Sequence, residues 1–170
     1  MQRFEKLITL LFVVLMWCVQ ANAQQPVTTF ILVRHAEKDM TQSTNDPDLS
    51  AEGRARAMRL AALLEKTEIS AVYSTPFKRT RRTVEPVATQ KKLMIQNYPV
   101  YDETELKKIF TTYKGKTVLL SGHSNTVPRI LNFLTGTSLY SDFDDSEYGN
   151  ILIVSLTELN TPGNVIWLKY

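Results

Sequence analysis

The chain contains two histidines, and each directly follows a short apolar run typical of a buried strand. His35 comes after residues 30–34, and His123 comes after residues 118–122. In open α/β sheets, ligands bind beyond the carboxyl ends of the strands, so we expect both imidazoles at one edge of a sheet. A neutral imidazole nitrogen is a competent nucleophile toward phosphorus and can form a covalent intermediate.

Arginines accompany these histidines. Arg34 directly precedes His35, and Arg79 follows Thr75-Pro76, where Pro at the first helical position predicts the start of a helix. Helix N-termini favour anions, and guanidinium groups bind phosphate in a bidentate manner. Together these groups would form a cationic cup suited to a phosphoryl dianion, in which arginine and histidine supply the charge and no metal or cofactor is needed.

The same residues also allow a structural interpretation. A single histidine at the end of a strand often has no chemical role, and an arginine beside it often only faces solvent. Arg81 and Arg82 are expected to be solvated residues on a helix face.

The pattern along the chain predicts the elements that must position these groups. Apolar runs alternate with amphipathic stretches, which is typical of a mostly parallel sheet covered by helices on both faces, a three-layer α/β/α fold. Strands are predicted at 30–33, 69–73, 93–98, 117–120, 150–156 and 165–168, the last at an edge, and helices at about 51–64, 75–88, 103–110 and 125–134. Ser50 is expected to cap the first helix, Pro86 to distort or end the second, and Gly136 to stop the last.

Composition excludes several classes of protein. Apolar residues make up 44% of the chain and charged residues 22%, close to globular averages, so a folded domain is expected. The formal net charge of +3 is too small to indicate nucleic-acid binding. A nucleic acid is therefore not the expected partner, and the predicted cationic cup indicates a small phosphorylated molecule instead.

The N-terminus has the three parts of a bacterial signal peptide. A short basic segment precedes the apolar run 7–19, which is too short for a comfortable membrane span, and Ala21-Asn22-Ala23 provides a cleavage site. We therefore predict a signal peptide at residues 1–23, a domain at residues 24–170, and a periplasmic or secreted protein with no membrane span after cleavage. Two alternatives are a retained anchor and lipid attachment at Cys18, the only cysteine.

Four segments, in order along the chain, resemble the motifs of the histidine phosphatase superfamily, in its phosphoglycerate-mutase-like branch (branch 1). They are Leu32–Lys38 with the Arg-His pair, Asp48–Ala57, Tyr73–Thr80 with its Ser-Thr-Pro-x-x-Arg element, and Ser121–Asn125 around the second histidine. An Arg-His dipeptide alone is weak evidence, whereas four motifs in the same order are specific.

This resemblance implies a phosphoglycerate-mutase-like fold and a role for each site residue. It implies that His35 is the phosphorylated nucleophile, and that Arg34, Arg79 and His123 hold the phosphoryl group and stabilise the transition state. It implies no cofactor and no metal.

The family usually carries a glutamate, located between the Arg79-type motif and the second histidine, that protonates the leaving oxygen. A plain alignment places Val100 at that position in this chain. We predict Asp102 as the acid, with Glu103 and Glu37 as further candidates. The competing interpretation is that Asp102 caps a helix together with Glu105.

The expected function is a secreted phosphatase that acts on small phosphomonoesters or on phosphate groups of the cell envelope. The alternatives are a catalytically weak phosphate-binding or sensing protein of the same fold, and a phosphomutase. No large insertion could form a lid, so the pocket is expected to be open, with specificity influenced by the polar loop 36–49.

Overall fold

A computed structural model describes residue 5 and residues 25–170 of the chain. The predicted signal peptide therefore lies outside the described residues, apart from Glu5. In the part that is described, no helix has the length and apolar character needed to cross a bilayer.

Six strands form one sheet in the order β3-β2-β4-β1-β5-β6. The first four in this order are parallel, whereas β5 and β6 run antiparallel to their neighbours. The strands are β1 (Thr28–Arg34), β2 (Ala71–Ser74), β3 (Ile95–Asn97), β4 (Thr117–Gly122), β5 (Asn150–Leu156) and β6 (Asn164–Lys169). The mostly parallel sheet, with its last strand at an edge, is as predicted.

Helices cover both faces of the sheet, which confirms the three-layer architecture. They are α1 (Ala51–Leu63), α2 (Lys78–Lys91), α3 (Glu103–Thr112) and α4 (Thr126–Thr135). Successive residues of β1 pack alternately into two apolar clusters, one on each face of the sheet. Ile31 and Val33 belong to the cluster that holds buried residues of α1 and α2, and Phe30 and Leu32 belong to the cluster of α3 and α4.

Two helix ends have the caps predicted from the sequence. The Ser50 hydroxyl accepts a hydrogen bond from the Gly53 amide at 3.0 Å and so caps α1. Gly136, with a φ angle of 64°, ends α4 in the left-handed conformation.

The predicted bounds of α2 are wrong at both ends. Thr75 still pairs with the neighbouring strand, since its amide donates to the Ser121 carbonyl at 3.3 Å, and the helix begins only at Lys78. At the other end the helix continues through Pro86 to Lys91. Proline costs this helix one backbone hydrogen bond, but buried side chains such as Val87 hold the flanking turns against the sheet.

Gly53 allows α1 to approach the backbone that follows β1. A Cβ atom at this position would overlap the carbonyl oxygen of Glu37 and lie 3.0 Å from its nitrogen. Glu37 is two residues beyond His35, so this contact fixes the chain where it leaves the sheet.

We predict that Gly53→Ala lowers the free energy of unfolding by about 1–3 kcal/mol, as overpacking does in other cores. The sign is informative, because the same change at an open helix position would stabilise by up to about 1 kcal/mol. Urea unfolding measures the difference, with Ala55→Ser on the exposed side of α1 as the control. Unchanged or increased stability of Gly53→Ala would show that the helix is not seated on the Glu37 backbone.

Candidate active site

The register between β1 and β4 brings the two histidines together. Arg34, the last residue of β1, is paired with Gly122, the last residue of β4, and the His35 amide donates to the Gly122 carbonyl at 2.9 Å. Each histidine therefore lies one residue beyond the end of its strand. The centroids of the His35 and His123 rings lie 5.5 Å apart at an interplanar angle of 69°. The two imidazoles therefore share one edge of the sheet, as the sequence predicted.

His35 has a defined tautomer. Its side chain is buried, and Nδ1 lies 2.8 Å from the Ala36 carbonyl oxygen, which can only accept a hydrogen bond. Nδ1 therefore carries the proton, and Nε2 of the neutral ring keeps its lone pair. The Ala36 peptide is itself anchored, since its amide donates to the Thr83 hydroxyl at 2.8 Å.

His123 is oriented by a chain of hydroxyl groups. The Thr75 hydroxyl donates to that of Thr80 at 2.9 Å, so it accepts from His123 Nε2 at 3.0 Å. In this hydrogen bond His123 Nε2 is the donor, so Nδ1 is the ring nitrogen that the chain of hydroxyl groups does not engage. The His123 amide donates to the Thr126 hydroxyl at 2.8 Å, which ties the residue to the start of α4.

Arg34 is held by backbone carbonyls of the segment 144–147. Its Nη1 donates to the carbonyls of Asp144 and Glu147 at 2.8 and 2.7 Å, and Nη2 donates to the Asp145 carbonyl at 3.1 Å. The guanidinium also lies 4.4 Å from the centre of the Tyr148 ring. With its terminal nitrogens engaged in this way, Arg34 has little freedom to move.

Arg79 lies in the first turn of α2, as predicted. Its guanidinium carbon stands 4.5 Å from the centre of the Phe77 ring, which in turn meets the His123 ring edge-on at 5.1 Å. Nη1 of Arg79 is 3.5 Å from an oxygen of Asp46, and the same oxygen accepts from the Lys78 amide at 2.9 Å. The Phe77 ring therefore contacts both the Arg79 guanidinium and the His123 imidazole and helps to position them.

Three guanidinium nitrogens at this site are buried without a hydrogen-bond partner among the described residues. They are Nε of Arg34 and both Nε and Nη1 of Arg79. Buried donors are nearly always satisfied in folded proteins, so unpaired ones indicate a missing acceptor. An oxyanion between the two arginines would provide it.

These groups line one cleft with a volume of about 650 Å³. The four residues predicted to hold a phosphoryl group, namely Arg34, His35, Arg79 and His123, all line it. The remaining lining residues are Lys38, Phe77, Val100, Ser124, Asn125, Asp142, Phe143 and Asp145. Within residues 25–170, no cluster of three or more histidine, cysteine, aspartate or glutamate residues could hold a metal ion.

The structure does not place Asp102 in the cleft. Its carboxylate caps α3, accepting from the amides of Thr104 and Glu105 at 2.8 and 3.2 Å, so the helix-cap interpretation accounts for its contacts. In the sequence, Asp102 has the spacing of a helix cap and also lies in the region where the acid is expected. The sequence alone could therefore not decide whether Asp102 is a cap or a proton donor.

The other two predicted acids also lie outside the cleft-lining set. Glu37 binds the Arg56 side chain through both carboxylate oxygens, and Glu103 accepts from the Tyr101 hydroxyl at 3.1 Å. The residue of this region that does line the cleft is Val100, which cannot donate a proton.

The polar loop 36–49 is ordered by its own side chains and borders the site. Lys38 and Leu49 form an isolated β-bridge, and the Asp39 carboxylate accepts from the amide and hydroxyl of Thr41. Lys38 and Arg79 line both the main cleft and a smaller cavity of about 170 Å³, whose other lining residues all belong to this loop. The loop therefore borders the cleft beside Arg79, and its influence on specificity stays a prediction.

Sequence reasoning missed the segment 142–148. It supplies the carbonyls around Arg34, and the Tyr148 ring, whose centre lies 6.3 Å from that of His35. No periodic or motif signal marks this stretch. Its contacts join residues more than 100 positions apart through backbone atoms, which side-chain patterns do not encode.

Burial and positive charge keep both imidazoles neutral. Burial is the largest cause that lowers the pKa of His35 to about 3, and the charges of Arg34 and Arg79 act in the same direction. Burial, followed by the same two arginines, lowers the pKa of His123 to about 4. A neutral His35 with a free Nε2 is the form that can attack phosphorus.

Comparison with known proteins identifies the relatives of this chain. The family model described as "Histidine phosphatase superfamily (branch 1)" matches residues 30–109. Phosphoserine phosphatase 1 of Hydrogenobacter thermophilus is 40% identical over 70 residues, which cover 38% of this chain and 33% of that protein. The match thus spans about a third of this relative's length.

Solved structures share the fold across most of the chain. A protein histidine phosphatase SixA complexed with tungstate has a TM-score of 0.70 at 19% identity, covering 83% of this chain and 96% of that one. A phosphoserine phosphatase from Entamoeba histolytica, in complex with 3-phosphoglyceric acid, has a TM-score of 0.62 at 15% identity, covering 84% and 97%. At these identities the likeness shows the fold, and it agrees with the predicted phosphoglycerate-mutase-like architecture.

The lowered histidine pKa values predict how stability depends on pH. As the pH falls below about 6.5, the unfolded chain protonates its histidines while the folded chain, with pKa values of about 3 and 4, does not. The free energy of unfolding should therefore fall between pH 7 and pH 5, with about 2 kcal/mol of this loss arising from His35. Urea unfolding at the two pH values measures it.

His35→Asn should reduce the loss by that amount, whatever its effect on stability at pH 7. The matched variant His123→Asn should reduce it to a similar extent. An equal pH dependence in the original protein and both variants would contradict the lowered pKa values.

Proposed function

Because a model of the histidine phosphatase superfamily, branch 1, matches residues 30–109, we propose that the chain is a member of this family and a phosphatase that forms a covalent phosphohistidine intermediate on His35. The observation that carries this proposal is the set of unpaired, buried guanidinium nitrogens on two arginines that line the same cleft as a neutral His35 imidazole. This arrangement supplies both an anion site and a nucleophile.

In the first step, Nε2 of His35 attacks phosphorus. The Nε2–P bond forms, the bond from phosphorus to the ester oxygen breaks, and the leaving oxygen takes up a proton. The hydrogen bond from Nδ1 to the Ala36 carbonyl orients the ring and stabilises the positive charge that develops on it.

The arginines stabilise the charge on the transferred phosphoryl group. Nε of Arg34 and Nε and Nη1 of Arg79 donate to its oxygens, and His123 faces the same group from the end of β4. The cage around Arg34 and the ring of Phe77 beneath Arg79 hold these donors in place before substrate arrives. Such preorganisation is a large part of catalysis in phosphoryl transfer.

In the second step, water attacks the phosphohistidine. The P–Nε2 bond breaks, inorganic phosphate leaves, and His35 returns to its neutral form. The open cleft allows the leaving alcohol to depart and water to enter.

The proposed substrates are small phosphomonoesters or accessible phosphate groups of the cell envelope. The cleft volume of about 650 Å³ fits a small ester, and Lys38 adds positive charge at its border. The signal-like segment at residues 1–23 supports a periplasmic or secreted location, where soluble phosphomonoesters and envelope phosphates are both present.

We predict that His35→Ala abolishes both turnover and labelling by a radioactive phosphomonoester. In the original protein the label should be stable to alkali and labile to acid, as a phosphoramidate bond requires. Rapid-quench labelling with p-nitrophenyl phosphate measures it, and Lys66→Ala, which alters an exposed cation of the chain, serves as the control.

Retained full activity of His35→Ala would refute the nucleophile assignment. If the original protein binds inorganic phosphate but neither turns over nor becomes labelled, the phosphate-binding alternative replaces the phosphatase.

A further inference from the structure

We propose that Asp142 is the general acid that protonates the leaving oxygen, and the base that then activates water. This inference rests on the proposed function, since it assigns a missing part of the same reaction. An alkoxide is a poor leaving group, so hydrolysis of alkyl phosphates requires a positioned proton donor.

Two carboxylates line the cleft, Asp142 and Asp145. The three carboxylates predicted from the sequence lie elsewhere, where each has a structural partner. The choice of proton donor therefore falls between these two aspartates.

The Asp145 carboxylate forms an ion pair with Arg34. One of its carboxylate oxygens lies 3.5 Å from Nη2 of Arg34, and its backbone carbonyl accepts from the same nitrogen. The Asp145 carboxylate is therefore already engaged by a guanidinium, unlike that of Asp142.

Asp142 makes no hydrogen bond or ion pair with another residue in the range 25–170. Its side chain is exposed at the border of the cleft, where it can exchange protons with solvent between turnovers. It is thus the lining carboxylate that remains free to act on a bound ester.

The backbone beside Asp142 is fixed, although its side chain is exposed. The Phe143 amide donates to the carbonyl of Ser124, the residue directly after His123, at 3.0 Å, and the Phe143 side chain is buried against Trp167. Just beyond, the carbonyls of Asp144 and Glu147 hold Arg34. Asp142 is therefore held at a constant place relative to both the second histidine and the first arginine.

The proton balance of the proposed reaction is complete. As the P–O bond breaks, the Asp142 carboxyl proton passes to the leaving oxygen, which departs as a neutral alcohol. The resulting carboxylate then accepts a proton from the water that attacks phosphohistidine, which restores the carboxylic acid for the next turnover.

The test compares an alkyl ester with an aryl ester. β-Glycerophosphate needs a proton on its leaving oxygen, whereas p-nitrophenolate departs without one. We expect Asp142→Asn to lower kcat/KM for β-glycerophosphate by about 10²-fold or more, to leave kcat/KM for p-nitrophenyl phosphate nearly unchanged, and to retain labelling of His35 by the aryl ester. The comparison uses kcat/KM because this quantity excludes the later attack of water on phosphohistidine, which the substitution slows for both esters.

Asp145→Asn and Asp102→Asn are the matched variants, each making the same chemical change at another carboxylate. A selective loss on the alkyl ester in either of them, and not in Asp142→Asn, would overturn the assignment. So would an equal loss of kcat/KM in Asp142→Asn on both esters, which would indicate a role in binding, or no loss of kcat/KM on either.

The outcome is separable from that of the proposed function. If the original protein forms no phosphohistidine from p-nitrophenyl phosphate, the phosphatase proposal itself fails. If labelling occurs and Asp142→Asn behaves like the original protein on both esters, the failure concerns the acid alone.

Discussion

The site depends on the parallel pairing of β1 with β4. This pairing joins segments that are almost 90 residues apart, and it ends with the His35 amide donating to the Gly122 carbonyl. A shift of the register by one residue would turn each β1 side chain to the opposite face and separate the two imidazoles. The buried apolar residues on both faces of β1, such as Phe30 and Ile31, oppose that shift, so the packing of the core specifies how the two histidines are placed.

A second constraint is the cost of placing two guanidiniums and two imidazoles in one partly buried cleft. The pKa values of both imidazoles are lowered, so the rings stay neutral. The arginines remain charged and are stabilised by different means, Arg34 by backbone carbonyls and Arg79 by the Phe77 ring and the Asp46 carboxylate. Donors that stay unpaired in this setting lower the energy of a bound oxyanion more than the same groups would in water.

Much of this arrangement could be predicted from the sequence because it follows local rules. Buried strands show continuous apolar runs, Ser50 caps a helix, and three of the short motifs contain Arg34, His35, Arg79 and His123, which meet in one cleft. The predictions that were wrong concern places where tertiary interactions compete with local sequence preferences. Pairing with β4 keeps Thr75 extended, buried packing carries α2 through Pro86, and Asp102 has the spacing of a cap because it is one. The segment around Asp142 was missed because backbone contacts position it.

The central claim is that four side chains from separate parts of the chain surround one tetrahedral anion. A crystal structure with vanadate tests it directly, since vanadate mimics the transferring phosphoryl group. Vanadium should bond to Nε2 of His35, with its oxygens about 2.7–3.1 Å from guanidinium nitrogens of Arg34 and Arg79 and with the His123 ring beside it. Vanadate bound elsewhere, or coordinated without either arginine, would contradict the account.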